Sequence, residues 1–364
     1  MSSLYISELR LSHFRSHKRS TISCDARPVA LYGRNGAGKT NILEAVSLFS
    51  PGRGLRRASA QSMGRRPESL GWKLNGTLQS LSHRHELEIW SDQGRTRQLK
   101  IDGKPTPQTR LGQIARVLWL IPSMDRLWIE GAEGRRRFLD RMALSFFPAH
   151  ADASLLYERT MRERNRLLKD QSRDQSWFDA LEHQMASSAE DIQRHRHATL
   201  EQLQRAQDVT ETSFPVADLA LHTEDGIDQT TQGYQLAFAR NRQQDMIAGR
   251  TLMGPHRNDL HATYRAKGVD ARDCSTGEQK ALLISLILAN ARALISTFGA
   301  PPILLLDEVA AHLDAHRRAA LYEEICTLKS QAWMTGTGLE LFSELGENAQ
   351  YFDIKDTDGI SFLG

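Results

Sequence analysis

Cysteine is scarce: Cys24, Cys274 and Cys326 are the only three in 364 residues. Being odd in number and far apart, they exclude a disulfide framework or a cysteine-based zinc cluster and fit a reducing compartment. Charge imbalance is scarce too. Forty-seven Lys and Arg against 44 Asp and Glu leave a formal net charge of +3, so any basic surface has to be local. No run of about 18 apolar residues is evident, and Met1 to Asp25 mixes polar and apolar residues without an apolar core. Neither a spanning segment nor a signal peptide is expected. Internal repeats and low-complexity tracts are missing, which removes the fibrous and disordered classes. What remains is a soluble globular chain long enough for two domains, or one domain with a large insertion.

The chain does carry Gly33-Arg34-Asn35-Gly36-Ala37-Gly38-Lys39-Thr40, a full G-x-x-x-x-G-K-[ST] match. It lies between a short buried-strand candidate, Val29-Ala30-Leu31-Tyr32, and Asn41 to Phe49, whose apolar residues recur at helical spacing. Strand, loop and helix in that order form a phosphate cradle. The glycines let backbone N–H groups turn toward a polyphosphate, and the helix N-terminus adds partial positive charge. Lys39 reaches the β/γ-phosphates, and Thr40 offers a hydroxyl to Mg²⁺. An ordinary strand-to-helix turn would need neither the lysine nor the threonine.

Ahead of the loop, Leu4 to Phe14 and Ser20 to Ser23 read as strands. Behind its helix, Pro51 to Pro67 holds Arg53, Arg56, Arg57, Arg65 and Arg66 with no acid among them. These five are candidate DNA-phosphate contacts, and a solvated loop is the plainer alternative. Strand-like runs follow at Trp72 to Leu78, His85 to Trp90 and Arg97 to Ile101, ending at the turn pair Asp102-Gly103. Arg116 to Ile121 reads as a buried strand. From Asp125 to Thr212 the pattern is helical and dense in Arg, Glu and Gln, with solvated faces as the expected place for that charge. A strand at Pro215 to Leu221, a helix at Tyr234 to Ala248 and a hairpin turning at Lys267-Gly268 complete the middle.

The last third is α/β again. Ser275-Thr276-Gly277-Glu278-Gln279 opens an apolar helix, and the motif fits an N-cap with Glu at the third helical position. Ile303-Leu304-Leu305-Leu306 then reads as a fully buried strand ending in Asp307-Glu308, at the sheet edge where ligands sit in open α/β folds. Asp307 takes the Mg²⁺-holding position of a P-loop enzyme, and Glu308 is the candidate general base for an attacking water. Two acids starting a helix would satisfy the dipole equally well; the upstream phosphate loop favours catalysis. With both motifs flanking it, the Ser275 stretch resembles the signature of ABC-type ATPases. In those proteins the residues corresponding to Ser275, Gly277 and Gln279 meet a γ-phosphate across a dimer interface. Leu313-Asp314 reads as a helix N-cap and resembles the D-loop of the same class.

Four further stretches narrow the resemblance: His13-Phe14-Arg15, Ser50-Pro51-Gly52-Arg53, Arg135-Arg136-Arg137-Phe138-Leu139-Asp140 and Gly254-Pro255-His256-Arg257-Asn258-Asp259-Leu260. Over nearly its whole length the sequence resembles the RecF family, bacterial recombination mediators related to the ATPase heads of SMC proteins. The resemblance implies an α/β P-loop NTPase, an ABC/SMC-like ATPase head with an inserted helical lid. The head is expected at 1–122 and 231–364 and the lid at 123–230. ATP and Mg²⁺ as ligands, ATP-dependent homodimers and weak, DNA-stimulated hydrolysis are implied as well. So are binding of single- and double-stranded DNA at gaps or junctions, cooperation with RecR and RecO, indirect action on RecA, and a cytoplasmic, nucleoid-associated location.

Two positions depart from the family pattern, Met124 where many relatives have Glu and Asn258 where an acid is usual, whereas Thr335, where ABC transporters have His, favours a RecF-like head. A transporter's nucleotide-binding subunit is the alternative, but it calls for that His and a shorter spacing between phosphate loop and signature. A small-molecule kinase would need no signature helix.

Overall fold

The computed structural model describes residues 3–364 except 67, 69, 94, 224 and 225. Two compact units emerge, one of Met1–Asp125, Val209–Pro215 and Ser275–Gly364, the other of Arg126–Asp208 and Val216–Cys274. The insertion is therefore longer than the expected 123–230, and the chain returns to the first unit at Ser275 instead of 231. Residues 231–274 belong to the insertion because they share its core and its small sheet.

The first unit begins with β1 (Ser3–Phe14), β2 (His17–Ser23), β3 (Val29–Tyr32), α1 (Lys39–Ser47) and α2 (Ala60–Met63). It continues through β4 (Trp72–Leu81), β5 (His83–Ser91), β6 (Gln98–Ile101), β7 (Lys104–Pro105), α3 (Leu111–Ile114) and β8 (Val117–Leu120). The second unit holds α4 (Ala132–Phe146), α5 (His150–Lys169), α6 (Gln175–Asp208), β9 (Ala217–His222), α7 (Thr231–Ala248), β10 (Asp259–Tyr264) and β11 (Val269–Asp270). The first unit then resumes with α8 (Thr276–Thr297), β12 (Ile303–Leu306), α9 (Ala315–Leu328), β13 (Ala332–Gly336), β14 (Gln350–Thr357) and β15 (Ile360–Leu363).

Twelve strands of the first unit form one sheet in the order β7-β6-β5-β4-β1-β2-β15-β14-β3-β13-β12-β8. From β14 to β8 the neighbours are parallel. Strands covered on both faces read as unbroken apolar runs, and β8 and β12 are buried at every residue. The antiparallel part alternates instead, with Trp72, Leu74 and Leu78 inward and Lys73, Asn75 and Thr77 outward on β4. Helix α8 starts with a capping box between Ser275 and Glu278, and every residue from Gln279 to Ala291 is buried. By length and mean hydropathy it could cross a bilayer, although Lys280, Ser285, Asn290 and Arg292 break it into short apolar runs. Here it is a core helix of the unit.

In the second unit, α7 sets Tyr234 and Phe238 into a core with Tyr157 of α5 and Met185, Ala186 and Ala189 of α6. β10 pairs with β9 and β11. The charge expected on solvated helix faces is partly interior: Arg164 is fully buried, 3.0 Å from Glu182 and 2.7 Å from Asp245, and it donates to Thr251 Oγ1 and the Phe238 carbonyl. A buried guanidinium so partnered fixes the packing of three helices, since removing one partner strands the other charges. Two of the stretches that carry the family resemblance, Arg135 to Asp140 and Gly254 to Leu260, meet here as well. Arg135 forks onto Asp259 at 2.7 and 2.8 Å, and Arg136 donates to the Asn258 carbonyl. Asn258 itself is buried and donates from Nδ2 to Gln193 Oε1, an uncharged pairing that accommodates an amide where an acid is usual.

Two histidines of this unit are held neutral. Burial depresses His256 to about 4; its Nε2–H donates to the Thr251 carbonyl, and Nδ1 accepts from the Tyr157 hydroxyl. Burial, reinforced by His150 and Arg194, likewise depresses His195 to about 4, and its ring stacks on Phe147. Because both folded values lie below the unfolded value near 6.5, the unfolded chain takes up protons first, and stability is lost as pH falls from about 6.5 to about 4. The melting temperature of the chain is therefore expected to drop between pH 7 and pH 5, and His195→Phe is expected to flatten that drop. Equal pH slopes for the two proteins in thermal unfolding would contradict it.

Candidate functional site

The site lies in the first unit, at the C-terminal ends of β3, β13 and β12. Gly33 leaves β3 at φ 144°, and a Cβ there would lie 2.2 Å from the Ile354 carbonyl oxygen. Gly38, the residue before α1, has φ 104°; a Cβ would meet Ser361 Oγ at 2.3 Å, Ser16 Oγ at 2.8 Å and His17 Nε2 at 2.9 Å. Both positions are closed to any side chain. Arg34, Asn35 and Gly36 form the exposed crest, Ala37 is buried, and its N–H donates to the Arg34 carbonyl.

Lys39 Nζ folds onto the loop, donating to the Gly33 and Arg34 carbonyls at 2.6 and 2.8 Å. Burial lowers its pKa, while Glu308 and Asp307 oppose that shift by attraction. Thr40 donates from Oγ1 to Asp307 Oδ1 at 2.9 Å, and Thr335 donates to the same oxygen at 2.8 Å. Parallel register explains the meeting. Leu306 pairs with Met334 and Leu31 with Thr335, so the residues just beyond β12 and β3 flank the end of β13. The Glu308 N–H donates to Thr335 Oγ1 at 2.8 Å, and Glu308 adopts φ 54°. A left-handed glutamate costs about 1 kcal/mol or more, and such strain clusters at functional positions.

Thr335 thus ties the paired carboxylates to the sheet, a role the sequence reading, which saw only a missing His, did not assign. Arg15 and His17, which the resemblance to SMC heads suggests lie beside the nucleotide with a surface position as the alternative, are held against the loop and its helix. Burial lowers the His17 pKa, so the neutral ring donates from Nε2 to the Gly38 carbonyl at 3.1 Å and accepts at Nδ1 from Ser20 Oγ at 2.8 Å. Ser16 Oγ accepts from Asn41 Nδ2 at 2.7 Å and from Ser361 Oγ at 2.6 Å. Arg15 forks onto the buried Glu44 at 2.6 and 2.9 Å.

The basic stretch departs most from expectation. Arg65 is 6% exposed; it donates to the Ser16 and Gly359 carbonyls, both at 2.9 Å, and pairs with Glu68. A guanidinium spent on buried backbone carbonyls is a structural strut, so Arg65 is removed from the DNA candidates. Arg56 donates to Asn41 Oδ1 at 2.7 Å and Glu44 Oε2 at 3.1 Å, which binds it to α1. Arg53, Arg57 and Arg66 are exposed; Pro67, the end of the stretch, lies outside the described residues. At the signature, Ser275 and Gly277 are exposed, whereas Gln279 is 1% exposed and faces the core. From Gln279 onward α8 is covered on every side by the unit's core, so Gln279 is not a surface contact beside the other two. Pro122–Met124 forms a single 3₁₀ turn after β8, and the next residue, Asp125, pairs with Lys280 at 3.2 Å.

A glycine loop with a folded-in lysine, next to a hydroxyl and two carboxylates at parallel strand ends, defines a P-loop ATPase head of the ABC/SMC type. The family model for the RecF/RecN/SMC N terminal domain matches residues 5–356. The DNA replication and repair protein RecF of Rhizobium rhizogenes (strain K84) is 45% identical over 363 residues, 96% of this chain and 97% of its own length. That of Brucella suis biovar 1 is 42% identical over 368 residues, 96% and 94%. The chain belongs to the RecF family. In fold it is similar to the recombination mediator protein RecF solved as RecF-ATPrS, with a TM-score of 0.82 at 22% identity and coverage of 100% and 98%. It is also similar to the Smc head of Pyrococcus furiosus bound to the C-terminal domain of ScpA, at 0.57, 16%, 99% and 96%.

Proposed function

We propose that this chain is an ATP-dependent DNA-binding protein of recombinational repair, which dimerises on ATP, holds DNA at single-strand gaps or junctions, and resets by slow hydrolysis. The observation that carries the reading is the convergence of Thr40 and Thr335 on Asp307, with Glu308 next in chain and Lys39 on the same loop. The names of the relatives, DNA replication and repair proteins, and of the structural neighbours, recombination mediators of the RecFOR pathway, support it. RecO, RecR and, through them, RecA are the partners it implies, in the cytoplasm at the nucleoid.

In this reading Gly33 to Asn41 cradle the phosphates of ATP, and Lys39 exchanges its two loop carbonyls for the β/γ-phosphate oxygens. The Thr40 hydroxyl and Asp307 carboxylate are hard oxygen donors 2.9 Å apart, a donor set suited to Mg²⁺. Mg²⁺ held there would neutralise phosphate charge. Glu308 accepts a proton from the attacking water. Ser275 and Gly277, exposed at the start of α8, present the helix N-terminus to the nucleotide of a second copy, with the Ser275 hydroxyl exchanging its capping contact with Glu278 for a phosphate oxygen.

Light scattering with and without ATP, at two salt concentrations and with a gapped duplex, tests the reading; a monomer under all conditions would refute it. Ser275→Arg is expected to bind ATP with affinity within about threefold of wild type and to remain monomeric. ATP-induced dimers of that variant would remove the signature from the interface.

A further inference from the structure

The antiparallel part of the first unit's sheet has an outward face that the nucleotide site leaves unused. Register sorts its side chains into rungs. Arg19, Ser12, Lys73, Trp90 and Gln98 stand opposite one another across β2, β1, β4, β5 and β6. The next rung is Thr21, Arg10, Asn75, Glu88 and Lys100, and the one after is Ser23, Glu8, Thr77 and Glu86. The first rung holds two cations and no acid. In the second, Glu88 is engaged by Lys73, leaving Lys100 beside the aromatic ring. The third ends in acids, of which Glu8 is paired with Arg10. The face is therefore graded from basic and aromatic at one end to acidic at the other.

Trp90 sits half-buried in the basic rung, and the Lys100 ammonium lies 5.6 Å from its ring centroid. Lys73 is 45% exposed at its side chain, and Arg19 is exposed. A tryptophan on a strand can serve sheet propensity alone, but cations grouped around an aromatic surface, with acids graded away from it, suit a polyanion with unpaired bases. A duplex would use only the cations, since its bases stay stacked; a single strand can use the ring too.

We propose that this face binds single-stranded DNA, with phosphates on Arg19, Lys73 and Lys100 and a base stacked on Trp90. The proposal rests on the DNA-binding reading for its partner and places the contact on the sheet instead of the Arg53–Arg66 stretch. Arg19 and Trp90 are three strands apart, about 14 Å, enough for a few nucleotides.

The test is fluorescence anisotropy of the full chain with a labelled oligothymidine of about 15 nucleotides and with a duplex of equal length, each with and without ATP, at several salt concentrations. Trp90→Ala is expected to weaken oligothymidine binding about tenfold and duplex binding less than about twofold, with Trp90→Phe recovering most of the loss. The double variant Arg19→Ala, Lys73→Ala is expected to reduce the single-strand salt slope by about 1.4, two contacts at about 0.7 each. Unchanged oligothymidine binding by Trp90→Ala, or equal losses on both DNAs, would overturn the stacking site. A lower salt slope with no effect of Trp90 would mean a generic polyanion surface and overturn it as well. Should Trp90→Ala lose ATP binding through misfolding, Trp90→Leu, which keeps apolar bulk but has no ring to stack on, and the double variant carry the decision. If wild type binds gapped duplex while these variants behave like it, only the placement fails. If wild type binds no DNA in any nucleotide state, the DNA-binding reading fails with it.

Discussion

Lys39→Ala is expected to lower ATP affinity by about 100-fold or more, roughly 3 kcal/mol, while leaving the fold intact. The lysine is 5% exposed and makes two hydrogen bonds to its own loop, at 2.6 and 2.8 Å. No other lysine lies in the loop or in α1, and the nearby carboxylates Asp307 and Glu308 would repel phosphate if left uncompensated. Stability is less exposed to the change. Alanine is a better helix former than lysine, and the two freed carbonyls lie at a loop edge that water can reach. Titration calorimetry with circular dichroism on the same sample separates the two effects. A folded variant with near-normal affinity would remove the phosphate loop from the proposed function.

Where local pattern and burial agree, the fold was legible. Val29–Tyr32 is both the apolar run between Pro28 and Gly33 and the observed strand β3, because a strand buried on both faces needs no alternation. The capping box at Ser275 was visible from Ser275 and Glu278 alone, since its partners are three residues apart. The return to the first unit was misplaced because α7 buries only Tyr234, Phe238 and Asp245, and nothing in its composition says which core receives them. β10 belongs with β9 by pairing across 36 or more intervening residues, information no local window holds.

The candidate site divides in the same way. Lys39, Thr40, Asp307 and Glu308 were legible because their motifs fix the spacing. Thr335 was not, because its contact with Asp307 is created by the register of β12 on β13. Arg65 and Gln279 were misjudged for a common reason: composition reports charge and polarity, whereas exposure follows from tertiary packing around the helix and from distant backbone. The carbonyls of Ser16 and Gly359 that claim Arg65 are 49 and 294 residues away. Trp90 drew no attention in sequence because its neighbours Arg19 and Lys73 join it only across strands.

Glu308→Gln is expected to reduce ATP hydrolysis by about 100- to 10,000-fold, the usual range for a general base, with ATP binding retained. Glutamine keeps the size and hydrogen-bonding reach of glutamate and loses the charge that accepts a proton. Its backbone should stay in place, because the N–H to Thr335 Oγ1 bond that holds the φ 54° turn involves no side-chain atom of residue 308. Thr40, Asp307 and Thr335 remain connected through one oxygen, so the phosphate site stays assembled while the proton acceptor is gone. Under the proposed function the variant accumulates as an ATP-bound dimer that leaves DNA more slowly than wild type. A transporter subunit would be trapped as a dimer too but would gain no hold on DNA. Single-turnover hydrolysis and DNA dissociation, measured on one preparation, therefore decide two questions together. Normal hydrolysis would take Glu308 out of the chemistry, and blocked hydrolysis without slower DNA release would break the link between nucleotide state and DNA.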